Sequence, residues 1–200
     1  MRARFIARCL LIGGWLVIIS WLMWHDLAPS GQRVVATDLI HYQPFISKPY
    51  PEGRLSEPTP AAVGWQQQVI GEPLYVEVRL PRRMNEARLR LWYKTDKLDN
   101  LKVGLQVGNA PWQYDLKTIS QVEEVSDDGW NIGEVIFSLD RAAITERKAR
   151  FVISAPGIGA PDTSFVLHRF EVDLTGQPLA LPDLPLLLWQ RWNKLLSYGA

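Results

Sequence analysis

Residues 74–80 read LYVEVRL, and every second side chain is apolar. Leu74, Val76, Val78 and Leu80 alternate with Tyr75, Glu77 and Arg79. A strand sends successive side chains to opposite faces, so this rhythm predicts one buried face and one wet face. The same period recurs downstream. Leu89, Leu91 and Tyr93 alternate with Arg88, Arg90, Trp92 and Lys94. Trp112, Tyr114 and Leu116 alternate with Gln113, Asp115 and Lys117. Val135, Phe137 and Leu139 follow, then Phe151 and Ile153, then Val166, Phe170, Val172 and Leu174. Between these runs lie turn-like stretches such as GNAP, SDDG and SAPGIGAPD. Many short strands with Gly/Pro-rich separators predict a mainly β chain, an antiparallel β-sandwich of jelly-roll type over residues 65–176. The single helical candidate inside that span is Arg141 to Lys148.

The closing segment, FVISAPG at 151–157 followed by SFVLHRFEVDL at 164–174, resembles the final strands of jelly-roll sandwiches of the carbohydrate-binding-module or galactose-binding-domain kind. The resemblance implies a fold and a glycan as a candidate partner. It also implies a structural calcium, which such modules often carry. Asp127-Asp128-Gly129-Trp130-Asn131 offers oxygens for one, but its spacing matches no calcium-loop signature. Asp-Gly is a common turn pair, and the segment reads as a turn without metal.

Outward from the sandwich, residues 5–24 read FIARCLLIGGWLVIISWLMW. Twenty residues at about 1.5 Å each match the hydrocarbon thickness of a bilayer. Arg2, Arg4 and Arg8 open the run, and no acid precedes Asp26. Residues 1–26 therefore read as a cytoplasmic N-terminus and transmembrane anchor, with the rest extracytoplasmic. Trp21 and Trp24 fall where an interfacial aromatic belt is expected. A cleaved signal peptide is the rival reading, but the run ends in bulky Leu22, Met23 and Trp24 rather than a small-residue cleavage site. Residues 27–64 hold Pro29, Pro44, Pro49, Pro51, Pro58 and Pro60 and read as a proline-rich stalk, with Arg33 to Tyr42 able to form a first strand. Residues 177–200 read as a proline-rich linker and an amphipathic helix. Leu188, Trp189, Trp192 and Leu195 share its apolar face, which suits either the bilayer interface or a protein surface.

Charge and chemistry exclude several classes. Lys plus Arg number 22 against 21 Asp plus Glu. That balance removes the basic footprint of a nucleic-acid binder. The single cysteine, Cys9, allows no internal disulfide. His25, His41 and His168 have no metal-ligand spacing, and no nucleophile elbow, zinc-protease motif or phosphate loop occurs. The pairs Glu123/Glu124 and Asp127/Asp128 read as solvated loop charge. No catalytic residue, metal or cofactor is expected.

The candidate ligand contacts are aromatic. Trp92 shares the polar phase of its strand with Arg88, Arg90 and Lys94, and Tyr75 sits likewise beside Glu77 and Arg79. Exposed rings with hydrogen-bonding neighbours suit a sugar or a protein hot spot, which makes Trp92, Tyr75 and Arg90 the candidate ligand-binding residues. Trp65, Trp112 and Trp130 are expected to anchor the core. Trp21, Trp24, Trp189 and Trp192 are assigned to the membrane interface. The expected function is a membrane-anchored interaction or scaffold module, an accessory subunit of a cell-envelope complex whose partners are the bilayer and an envelope protein. The alternative is a membrane-anchored carbohydrate-binding module.

Overall fold

The computed structural model describes residues 2–27, 30–81, 83–96, 100–119, 124–125, 129–160 and 162–178, with Ala180, Pro182, Pro185, Leu186 and Trp189 beyond them. The chain divides into two compact units. One comprises Met1–Gln32 with Gln177–Ala200, and the other Arg33–Gly176.

The larger unit is built of antiparallel strands in two sheets. In chain order the strands are β1 (Gln32–Thr37), β2 (Thr59–Pro60), β3 (Trp65–Gln68), β4 (Leu74–Arg79), β5 (Glu86–Asp96) and β6 (Lys102–Asn109). Then come β7 (Trp112–Thr118), β8 (Glu124–Val125), β9 (Asn131–Ser138), β10 (Lys148–Ser154) and β11 (Ser164–Thr175). The seven-stranded sheet runs β2-β3-β11-β5-β9-β8, with β1 also paired to β11. The four-stranded sheet runs β4-β10-β6-β7. A sandwich is therefore what the alternating runs build, as the period-two reading predicted.

The alternation decides which side chains meet. Leu74, Val76 and Val78 of β4 are buried, while Tyr75 and Glu77 between them are half-exposed. On β5, Ala87, Leu89, Leu91 and Tyr93 are buried and Arg88, Arg90 and Trp92 are half-exposed. The two inner faces are joined by rings. Phe151 of β10 packs between Phe137 of β9, at 6.0 Å, and Phe170 of β11, at 6.4 Å. All three are fully buried.

The proline-rich stretch is hydrogen-bonded into this unit. Tyr50 and Tyr75 exchange both backbone bonds, at 2.9 and 2.8 Å, and Ser47 N–H donates to Glu77 O at 2.8 Å. Arg79 N–H donates to Phe45 O, also at 2.8 Å. Phe45 and Ile46 are buried. Residues 43–50 thus lie along the free edge of β4, where the segment's apolar side chains repay their burial. Proline bars a regular ladder here but leaves isolated bridges possible. Arg33–Tyr42 does contain a strand, β1, at its start.

The expected helix at Arg141–Lys148 is replaced by two tight turns. A single 3₁₀ turn covers Leu139–Arg141, with the Ser138 side chain accepting from Asp140 N–H. Thr145 and Lys148 then close a two-residue hairpin loop. The nine residues 139–147 must carry the chain from β9 in one sheet to β10 in the other, which leaves too few for a stable helix.

The smaller unit contains α1, Arg2–Leu27. Among the described residues no helix is long and apolar enough to cross a membrane. The side chains described in α1 are those of Arg8 and of residues 10–22. Trp21 is exposed, whereas the side chain of Trp24 lies outside the described residues. At the other end Trp189 is exposed, but Trp192 and most of the expected C-terminal helix lie outside the described residues.

Truncating the ring that joins the sheets, Phe151→Ala, is expected to cost about 3–5 kcal/mol in urea denaturation. Leu116→Ala, on the outer face, is expected to cost less than about 1.5 kcal/mol.

Candidate functional site

Strand β7 departs from the sequence reading in a way that creates a surface. Register settles its faces. Asp115 lies opposite Leu105, and Lys117 opposite Val103. Leu105 and Val103 are core residues, so Asp115 and Lys117 share the inward side. Trp112, Tyr114 and Leu116 consequently turn outward. Trp112 is 60% exposed, which corrects its expected place in the core. The polar inner phase is tolerated because β7 is an edge strand beyond the facing core. Lys117 reaches across to the other sheet, where Nζ donates to Ile136 O at 2.6 Å and sits 4.9 Å from the Phe137 ring.

The outer face of the four-stranded sheet is thus a lattice of aromatic and charged side chains. One row across it is Tyr75, Val152, Gly104 and Leu116. Gly104 is required there: a Cβ would stand 2.7 Å from Leu116 Cδ2 and 2.9 Å from Val152 Cγ1. The tyrosines lie in series over this row. Tyr50 is 5.6 Å from Tyr75, and Tyr75 is 6.2 Å from Tyr114, ring centre to ring centre.

A polar knot sits beside the rings. Glu77 Oε1 accepts from Arg150 Nη2 at 2.8 Å and from Tyr50 OH at 3.0 Å, and its Oε2 faces Lys148 Nζ at 3.3 Å. Burial alone would raise the Glu77 carboxyl. Hydrogen bonds from Arg150, Tyr50 and Lys148 outweigh it and hold the group below the ordinary carboxylate range. Burial, reinforced by Glu77, pushes Tyr50 up to about 12, so its phenol stays a donor. Arg150 also reaches the exposed tryptophan, lying 5.1 Å from the Trp112 ring centre. The Tyr114 hydroxyl is enclosed next to Arg150 without a well-formed hydrogen bond. A cleft of about 320 Å³ opens here, walled by Trp112, Gln106, Asn109, Glu77, Arg150 and Lys148.

The three residues nominated from sequence do not form one site. Tyr75 belongs to the face just described, while Trp92 and Arg90 stand on the outer face of the other sheet. Trp92 is half-buried, with the Arg169 guanidinium 5.1 Å from its ring centre. Arg90 is engaged by Glu134 at 3.0 Å and Glu171 at 3.5 Å, and Arg169 pairs with Glu171 at 2.5 Å. That face is a ladder of satisfied ion pairs. Trp130 is buried as expected, with His168 stacked 4.7 Å away and Lys94 Nζ 4.4 Å from its ring. His168 occupies the bulge in β11 and bonds through Nδ1 to Trp65 O at 2.7 Å. Trp65 itself is only half-buried. Sequence reasoning missed Trp112, Tyr114, Tyr50 and Arg150. The available signal was the run Trp112, Tyr114, Leu116 with charge in the other phase, which fits either side of a sheet.

No protein-family model matches the chain, and no curated protein matches it. Solved structures do. The xylan-binding module CBM15 is 17% identical, with 72% of this chain and 97% of that one covered and a TM-score of 0.41. A CBM4 structure gives 10% identity, 74% and 97% coverage and a TM-score of 0.43. A carbohydrate-binding module described for mannan recognition gives 11%, 72%, 99% and 0.41. The chain resembles carbohydrate-binding modules. Among the described residues no group of three or more His, Cys, Asp or Glu could hold a metal ion. Gly129 has a left-handed φ of 75°, as a turn requires, while Asp127 and Asp128 lie outside the described residues.

The depressed Glu77 carboxyl has a pH consequence. A group whose folded pKa is lowered stabilises the fold above its unfolded value, and that stability is lost as pH falls through the folded value. Unfolding midpoints are expected to drop as pH falls below the ordinary glutamate value of 4.5. Glu77→Gln is expected to lower the neutral-pH midpoint and flatten that acid dependence.

Proposed function

We propose that this domain is a carbohydrate-binding module whose ligand face is the outer side of the β4-β10-β6-β7 sheet. The observation that carries the reading is the outward turn of β7. It sets the exposed Trp112 ring on the same outer face as Tyr50, Tyr75 and Tyr114, and a contiguous aromatic patch with a polar rim is what marks a binding surface. The neighbours select among coverings. Glu77, Arg150, Gln106 and Asn109 place charged and amide groups around the ring. Flat apolar area bordered by directional polar groups suits a sugar ring, which has C–H faces and a hydroxyl rim. A protein hot spot favours a drier, less charged surround.

Anchoring to a membrane is proposed on a separate observation. Leu10, Leu11, Ile12, Leu16 and Val17 are all exposed on α1. At 100° per residue these positions point all round the helix, so the described stretch of α1 from Leu10 to Leu22 has no charged side to give to water. With the apolar run of residues 5–24, this supports an extracytoplasmic module held at a bilayer, in which an envelope protein partner has a place beside the glycan.

The test is titration of the full-length chain, in detergent, with linear neutral hexaoses of xylose, mannose and glucose. Trp112→Ala is expected to weaken binding at least about tenfold. Trp92→Ala is expected to leave it within about twofold. Equal effects of the two substitutions, or no binding by the wild type, would sink the reading. For the anchor, the full-length chain is expected to stay with membranes through alkaline carbonate extraction. Release into the supernatant overturns it.

A further inference from the structure

The hairpin joining the 3₁₀ turn to β10 carries a strain that the fold does not explain. Thr145 and Lys148 exchange both backbone bonds, at 3.2 and 2.8 Å, around Glu146 and Arg147. Glu146 has φ 51° and Arg147 φ 63°. Two successive left-handed residues make the kind of turn that Asn-Gly and Asp-Gly favour, because a longer side chain is disfavoured there. Arg147 has a structural reason to be something other than glycine, since its Nη2 donates to Pro81 O. Glu146 has none. It is exposed, and among the described residues it makes no hydrogen bond or ion pair.

Its position gives it one. A second cleft, of about 350 Å³, adjoins the first and is walled by Tyr42, Phe45 and Arg79. Glu77, Lys148 and Glu146 line both clefts and so form the saddle between them. Glu77 is spent on Tyr50, Arg150 and Lys148, and Lys148 faces Glu77. Of the three, Glu146 alone offers uncommitted acceptor oxygens at the crossing. A carboxylate accepts from several hydroxyls at once and repels another carboxylate.

We infer that Glu146 is a specificity-determining residue, accepting hydroxyl hydrogen bonds from a neutral linear glycan where it passes from one cleft to the other, and disfavouring uronate chains there. The inference rests on the proposed function and deepens it. The strained turn is kept because it points this carboxylate into the path of the ligand.

The full-length chain separates stability from binding here. Glu146→Asn gives the turn a residue suited to its φ, so its melting temperature is expected to equal or exceed that of the wild type. Affinity for whichever neutral hexaose the wild type binds best is expected to fall about tenfold. Glu146→Gln keeps the size and removes the charge. It is expected to narrow the wild type's preference for that hexaose over hexagalacturonate. Unchanged affinity and unchanged preference in both variants, with Trp112→Ala still defective, overturns the role of Glu146 and leaves the proposed function standing. Absence of glycan binding in the wild type overturns the proposed function, and the inference with it.

Discussion

The contact on which the rest depends is the ring of Phe151 held between Phe137 and Phe170. It is where the four-stranded sheet meets the seven-stranded one. Once those inner faces are committed, the pleat decides everything outside them, because each neighbour of a buried residue must point away. Phe151 inward forces Arg150 and Val152 outward. Arg150 then pairs with Glu77, which is outward because Val76 and Val78 are inward. The outer aromatic face is therefore built as the complement of the core. Its charged knot is ordered by the packing of rings on the other side of the backbone.

Much of this was legible. The alternating runs named the inward residues of β4, β5 and β10 correctly, because those strands have a long apolar phase and a distinctly polar one. On β11 they named Phe170, Val172 and Leu174, but the bulge at His168 shifts the phase, so Phe165 and Leu167 face the core and Val166 does not. Strand β7 shows the limit of the method. Trp112, Tyr114 and Leu116 make an apolar phase as clear as any other, yet they face out. Periodicity says that a strand has two faces and is silent about which one meets the core. That is decided by register against β6 and by whether an opposing sheet covers the strand. Lys117 could be read only as a wet residue, although its stem and ammonium reach the other sheet.

The site was less legible than the fold for a related reason. Trp92 and Tyr75 were correctly placed on outer faces, but nothing in spacing says that β4 and β5 belong to different sheets. The proline-rich stretch concealed Tyr50 in the same way. Proline density excludes helix and signals extended chain, but an extended chain packs against a sheet edge as readily as it links domains. Phe45, Ile46 and Tyr50, apolar or aromatic within that stretch, were the clue to packing. The hairpin at Glu146 left no trace at all, since Glu-Arg is not a pair that announces a left-handed turn.

The inward charges on β7 have a bearing on self-association. An edge strand with free backbone groups is a template for another strand, and β-sandwiches must keep such edges from joining. Here the unpaired side of β7 is flanked by Asp115 and Lys117 in the phase that a continuous sheet would bury. A second copy adding its strand would extend the sheet over both charges and have to desolvate them. The residues that look misplaced in a core phase thus keep the growing edge of the sheet closed, leaving the outer aromatic face free without making the molecule sticky to itself.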